Sequence, residues 1–291
     1  MKLRLFLFLG ILAAAASPAY AAGRVECNQL ESARMRGAVK YCVLLPPSYD
    51  TDKTRRFPVL YYLHGLGDDE QSLVNTGGWN LIERLWEDKS IGEFLIAVPD
   101  GGRSFYINAR DGRAPYEDFF IQDFIPLMDK KYRTVARSAS RALLGISMGG
   151  YGAMRFAFKY PGMFTAVATH SAALAQRVPG ELAAAASPMS RLGIFGRVFG
   201  APVDRAFFER NSPFTLVRRS VGIERLKIYF DCGRQDEFGF DAGNKDLSDL
   251  LTQRRITHEF HLYSGGHGWG YVADHLHESL QFISRALRLT P

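Results

Sequence analysis

LLGISMGGYGAMRFAF, from Leu143 to Phe158, joins a short apolar run to a helix-like one through a single serine. Gly145 and Gly149 stand two residues either side of Ser147, and Gly150 and Gly152 follow. A strand before G-x-S-x-G and a helix after it predict a sharp strand-to-helix corner. Such a corner needs small flanking residues, because strand and helix close together around the serine. The turn lifts the hydroxyl to the head of the helix, where the dipole favours developing negative charge. A tight glycine turn with an incidental serine is the plainer alternative.

The rest of the chain supplies the context for a corner. FPVLYYLHG, EFLIAVPDGG, SRALLGIS, FTAVATHSA, RLKIYFDCG and THEFHLYSGG read as buried strands, each ending in small or polar residues. AVKYCVLLPPSYD alternates and stops at Pro46-Pro47. Helical patterns lie between them: WNLIERLWED, YEDFFIQDFIPLMDKKY with a kink or new turn at Pro126, YGAMRFAFKYPG, NKDLSDLLTQRR and ADHLHESLQFISRAL. Strands alternating with helices predict an α/β fold, a mostly parallel central sheet with helices on both faces. The first two strands are expected to pair antiparallel at its edge. Residues 175–211 break the rhythm and read as a small helical or loop insertion. It would cap the site or serve only as packing, since ligands in such sheets bind at the carboxyl ends of strands.

Residues 1–21 read as a secretory leader: Lys2 and Arg4, an apolar run from Leu5 to Ala16, and small residues at Ala19 and Ala21. The apolar run is shorter than the ~20 residues a spanning helix needs. An exported protein of residues 22–291, periplasmic or extracellular and without stable membrane insertion, is therefore expected. Loss of the leader lowers the formal charge from +6 to +4. The arginines are dispersed, which argues against a nucleic-acid partner. Three cysteines remain, Cys27, Cys42 and Cys232. Export permits a bridge between Cys27 and Cys42, two buried thiols being the alternative. No Cys/His spacing suggests a metal.

A serine needs a base to become a nucleophile. At such corners the chain order is serine, acid, histidine. His267, in the glycine-rich SGGHGWG after the last strand, fits the base. His258 and His261 fall in a strand pattern, His275 and His277 on the final helix, and His64 and His170 precede the candidate acid in sequence. DCGRQDEFGFD offers Asp231, Asp236, Glu237 and Asp241. Asp236 has room to reach the ring; Asp241 is second, and Asp231 abuts the strand and reads as a turn cap. Backbone amides of Met148, after the nucleophile, and Leu66, in LHGLGD, are the expected oxyanion donors. Nucleophile, base and acid need no cofactor.

YYLHGLGDD, VPDGG with SFYIN, GISMGGYGA, DCGRQD and SGGHGWGY occur in the order of the esterase family of α/β-hydrolases, which this chain resembles over nearly all of its mature length. That family includes S-formylglutathione hydrolases, tributyrin-type acetyl esterases, feruloyl esterases and antigen 85 mycolyltransferases. The resemblance implies serine hydrolase chemistry on acyl esters, with Ser147, Asp236 and His267 as the triad and Leu66 and Met148 as oxyanion donors. It implies a small-molecule or polysaccharide-linked ester as substrate and leaves the acyl group open. Asp100, Tyr106 and Asn108 are candidates to line the substrate pocket, and Trp79 and Trp269 to wall it. Acyl transfer, thioester hydrolysis and an inactive binding module on the same fold are the competing readings.

Overall fold

Apolar side chains on both sides of the central strands give the sheet two buried faces. The structure is a computed structural model that describes residues 22–176 and 194–289. The leader therefore lies outside the described residues, as do residues 177–193 of the expected insertion. The strands are β1 (Arg24–Ser32), β2 (Gly37–Leu45), β3 (Val59–Leu63), β4 (Leu95–Pro99), β5 (Arg141–Ile146), β6 (Ala166–His170), β7 (Lys227–Gly233) and β8 (Glu259–Tyr263). They form one sheet in the order β1-β2-β4-β3-β5-β6-β7-β8. The β1–β2 and β2–β4 pairs are antiparallel and the others parallel. Cys27 and Cys42 face each other in the β1–β2 register and form a disulfide.

The helices that matter here are α1 (Gly78–Glu87), α2 (Ile125–Lys131), α3 (Met148–Lys159), α4 (Ile194–Phe199), α5 (Arg205–Asn211), α6 (Pro213–Arg219), α7 (Phe240–Gln253) and α8 (Trp269–Ala286). Val59, Tyr61 and Leu63 of β3 belong to the core that holds the apolar faces of α3 and α7, whereas Leu60 and Tyr62 belong to the one that holds those of α1 and α8. This alternation is the period-2 geometry of a strand covered on both sides. Pro126 does not break its segment. The chain stays helical from Tyr116 to Lys131 through a π turn over Phe120–Phe124, and this wider turn directly before the proline accommodates its missing amide.

The described part of the insertion packs beside α3. Phe199 on α4 meets the rings of Phe105 and Tyr151, and Tyr151 Oη donates to the Asn211 carbonyl at 2.8 Å. Arg155, buried on α3, reaches Glu117 Oε2 at 2.5 Å and Asn211 Oδ1 at 2.6 Å. A buried cation is retained only where partners of this kind replace water.

Candidate active site

Ser147 stands between the last residue of β5 and the first of α3, with φ 54° and ψ −114°. That is a left-handed backbone for a non-glycine residue, a strain kept where the surroundings enforce it. The surroundings here are tight. A Cβ on Gly145 would lie 2.2 Å from the Gly149 carbonyl oxygen, and one on Gly149 would lie 1.9 Å from that of Leu63. The two glycines of the motif are thus a steric requirement of β3, β5 and α3 meeting at one point.

Ser147 Oγ lies 3.0 Å from His267 Nε2, and His267 Nδ1 lies 2.8 Å from Asp236 Oδ2. The three side chains come from the β5–α3 corner, the loop after β7 and the loop after β8. Asp236 is buried. Burial pushes its carboxyl upward, but the bond and charge of His267 and the amides of Phe238 and Phe240 outweigh it and hold the group below its ordinary value. It is therefore ionised and accepts from Nδ1–H, leaving Nε2 free to take the serine proton. The rings of Phe238 and Phe240 stand edge-on to His267, with centroids 4.7 and 5.5 Å away. Glu237 Oε2 accepts from the His267 amide at 2.7 Å, so the loop after β7 also grips the loop after β8 by its main chain.

The other acids of DCGRQDEFGFD are placed elsewhere. Asp241 sits in the first turn of α7. Asp231 is not a turn cap. It is wholly buried and accepts from His170, Tyr229 and Tyr271. It lies within β7, paired on both sides, where the strand turns its side chain inward toward α8.

A cavity of about 210 Å³ opens beside Ser147 and His267. Tyr62, Leu66, Ile146 and Trp269 form its apolar wall, and Asp68, Ser72 and Thr76 its polar one. Burial raises the Asp68 carboxyl above its ordinary value. Leu66 lines the cavity, and Met148 is the first residue of α3, whose amide is free of intrahelical bonding.

Of the expected pocket residues, Trp269 lines this cavity and the others do not. Tyr106 is wholly buried, its hydroxyl donating to the His64 carbonyl at 3.0 Å. Asn108 Oδ1 accepts from the Asp118 amide. Asp100 borders a separate surface hollow with Arg103 and Arg197. Trp79 packs edge-on against Trp86. The loop after β4 folds beneath the LHGLGD turn instead of over the serine, which removes Tyr106 and Asn108 from reach of a substrate. Tyr62, Asp68, Ser72 and Thr76 were not singled out by their sequence. Asp68 carried the one signal that would have found it, its place two residues after Leu66.

A parallel-centred eight-stranded sheet, covered on both faces and bearing a serine on the corner after β5, defines an α/β-hydrolase. The chain belongs to the esterase family: the family model described as "Putative esterase" matches residues 32–283. An esterase of Mycobacterium tuberculosis is 32% identical over 244 residues, 77% of this chain and 51% of that protein. The chain thus spans about half the length of that relative. An acetyl esterase of Caldicellulosiruptor saccharolyticus is 24% identical over 229 residues, 78% of this chain and 83% of its own. A solved ferulic acid esterase superposes with a TM-score of 0.77 at 26% identity, covering 91% of this chain and 99% of that one. The S-formylglutathione hydrolase of Agrobacterium tumefaciens shares the fold, with a TM-score of 0.73 at 18% identity over 93% of this chain and 98% of its own.

Proposed function

We propose that this protein is an exported serine carboxylesterase that hydrolyses short-chain acyl, acetyl or feruloyl esters. The observation that carries this reading is the Ser147–His267–Asp236 relay, with steps of 3.0 and 2.8 Å, at the edge of a cavity. Ser147 Oγ attacks the acyl carbon while His267 Nε2 takes its proton. The carbonyl oxygen gains charge and is met by the Leu66 and Met148 amides. His267 returns the proton to the leaving alcohol, which departs and leaves an acyl-serine. Water, deprotonated by the same imidazole, then releases the acid and restores Ser147. Asp236 holds the ring in the required tautomer and stabilises the imidazolium.

The cavity's size supports a small acyl group, since it lies below the roughly 300–1,000 Å³ of most ligand pockets. The Asp68 carboxyl disfavours anionic leaving groups, which weighs against a glutathione thioester. The acetyl esterase and ferulic acid esterase relatives support acetyl and feruloyl groups, free or linked to polysaccharide. The leader pattern and the Cys27–Cys42 bridge support export, because disulfides persist in oxidising compartments.

The test is hydrolysis of p-nitrophenyl esters, from acetyl to long acyl, and of methyl ferulate, by the mature protein and by Ser147→Ala. The reading expects turnover of the short or feruloyl esters and its loss in the folded variant. Equal activity of both proteins removes Ser147 as the nucleophile.

A further inference from the structure

We infer that His64 is a positioning residue for the oxyanion hole: its imidazole sets the Gly65–Leu66 peptide so that the Leu66 amide faces the acyl oxygen at Ser147. The inference rests on the reading of Leu66 as an oxyanion donor. His64 follows the last residue of β3 and is wholly buried. Its Nε2 lies 2.7 Å from the Gly101 amide, and its Nδ1 lies 2.8 Å from the Gly65 carbonyl oxygen. An amide can only donate and a carbonyl can only accept. Nε2 is therefore bare and Nδ1 carries the proton, so the two contacts select one neutral tautomer.

The consequence follows from peptide geometry. The Gly65–Leu66 bond is trans, and the carbonyl and amide of one trans peptide point in opposite directions. A donor fixed on the Gly65 oxygen therefore fixes the heading of the Leu66 N–H on the other side. The Asp68 amide adds a second, longer bond to the same oxygen at 3.3 Å. The peptide is close to the nucleophile: a Cβ on Gly65 would lie 3.8 Å from Ser147 Cβ. Leu66 and Ser147 line one cavity.

The loop after β4 holds the histidine in turn. Tyr106 Oη donates to the His64 carbonyl at 3.0 Å, and its ring stands edge-on to the imidazole at 6.0 Å. Phe105 and Tyr106 take φ values of 51° and 57°, left-handed backbone in two consecutive bulky residues. Gly101 lies against the same ring, where a Cβ would come within 2.5 Å of it. The loop that sequence reading assigned to the substrate therefore supports the oxyanion turn from below.

Two isosteres separate the roles of the ring nitrogens. His64→Asn keeps an N–H where Nδ1 lies, and His64→Gln keeps an acceptor near Nε2. The wild type, both variants, Tyr106→Phe and Ser147→Ala are assayed on p-nitrophenyl acetate, with a trifluoromethyl ketone as a probe that forms a tetrahedral oxyanion. Full loss of one oxyanion donor costs about 10²–10³ in rate, so a misdirected one in His64→Gln is expected to cost about 10–10² in kcat. KM stays within about threefold, and ketone affinity falls in step with kcat. His64→Asn recovers kcat to within about fivefold of wild type. Equal losses in the two variants at matched Tm, or a loss confined to KM, overturn the inference. If His64→Gln does not fold, Tyr106→Phe decides: a drop of about 3–10-fold in kcat at constant KM supports it, and unchanged kcat overturns it. An active Ser147→Ala sinks the esterase reading itself, whereas an inactive one beside a fully active His64→Gln sinks only the role of His64.

Discussion

The Ser147 amide donates to the carbonyl of His170 at 3.0 Å, so the neighbouring strand holds the corner serine by its main chain. The His170 side chain belongs to a second serine–histidine–aspartate set, with Nδ1 3.0 Å from Asp231 Oδ1 and Nε2 2.8 Å from Ser279 Oγ. All three residues are wholly buried. None of the three lines the cavity beside Ser147. It fastens β6, β7 and α8 together beneath the site, and Tyr271, which donates to Asp231 at 2.7 Å, lies four residues after His267.

Removal of Asp231 tests that fastening. Burial pushes its carboxyl upward, but His170 and the two tyrosine hydroxyls outweigh this and hold it below its ordinary 3.8. The unfolded chain thus binds this proton at a higher pH than the folded one. The stabilisation is fully present above about pH 3.8 and is lost as pH falls through the lower folded value. Asp231→Asn should cost about 3–5 kcal/mol at neutral pH, the loss seen when one partner of a buried pair is removed. Denaturant titrations at pH 7 and at several values below pH 4 check both points: the gap between variant and wild type should narrow on acidification.

Asp236 Oδ2 faces the His267 ring, while Oδ1 accepts from the Phe238 and Phe240 amides. Asp236→Asn should lower kcat by about 10³–10⁴ by favouring the wrong tautomer, with KM little changed. Steady-state kinetics beside a circular dichroism melt separate this from unfolding; a variant within tenfold of wild-type kcat would contradict it.

The crowding at the corner predicts unequal fates for two glycine-to-alanine changes. Gly149→Ala places a methyl group 1.9 Å from the Leu63 carbonyl and should destabilise by about 3 kcal/mol or more. Gly270, in the first turn of α8, has nothing within 4 Å of its missing Cβ. Gly270→Ala should be neutral or stabilise by up to about 1 kcal/mol. Thermal melts of the two variants give the comparison directly.

The Cys27–Cys42 bridge lies at the sheet edge, away from the cavity. Its loop has a sequence separation of 15, which corresponds to about 3 kcal/mol of chain-entropy stabilisation. The double serine variant should lose a large part of that in denaturant titration and keep the wild-type kcat.

The strand–corner–helix at Ser147 was legible because its requirements are local. Apolar runs of strand length, a helical repeat and glycines at fixed offsets are written in consecutive residues. The same holds for the antiparallel edge strands and for the π turn region, where Pro126 announced an irregularity without naming its form. The start of α8 was hidden. SGGHGWG reads as a loop throughout, yet the helix begins at Trp269, two residues after His267.

By itself the sequence determined the α/β architecture, the corner and a short set of acids and histidines at strand ends. Tertiary structure alone decided which of these meet. It brought Asp236 to His267 and turned Asp231 inward to His170. It placed Trp269 in the cavity and Trp79 outside it, and it sent Tyr106 beneath the LHGLGD turn. The reason is range: periodicity and steric rules act over a few residues, whereas Ser147 and His267 are separated by 120 positions. Their contact depends on how β5 and β8 are ordered in the sheet and on how the loops at their carboxyl ends pack, which no local pattern encodes.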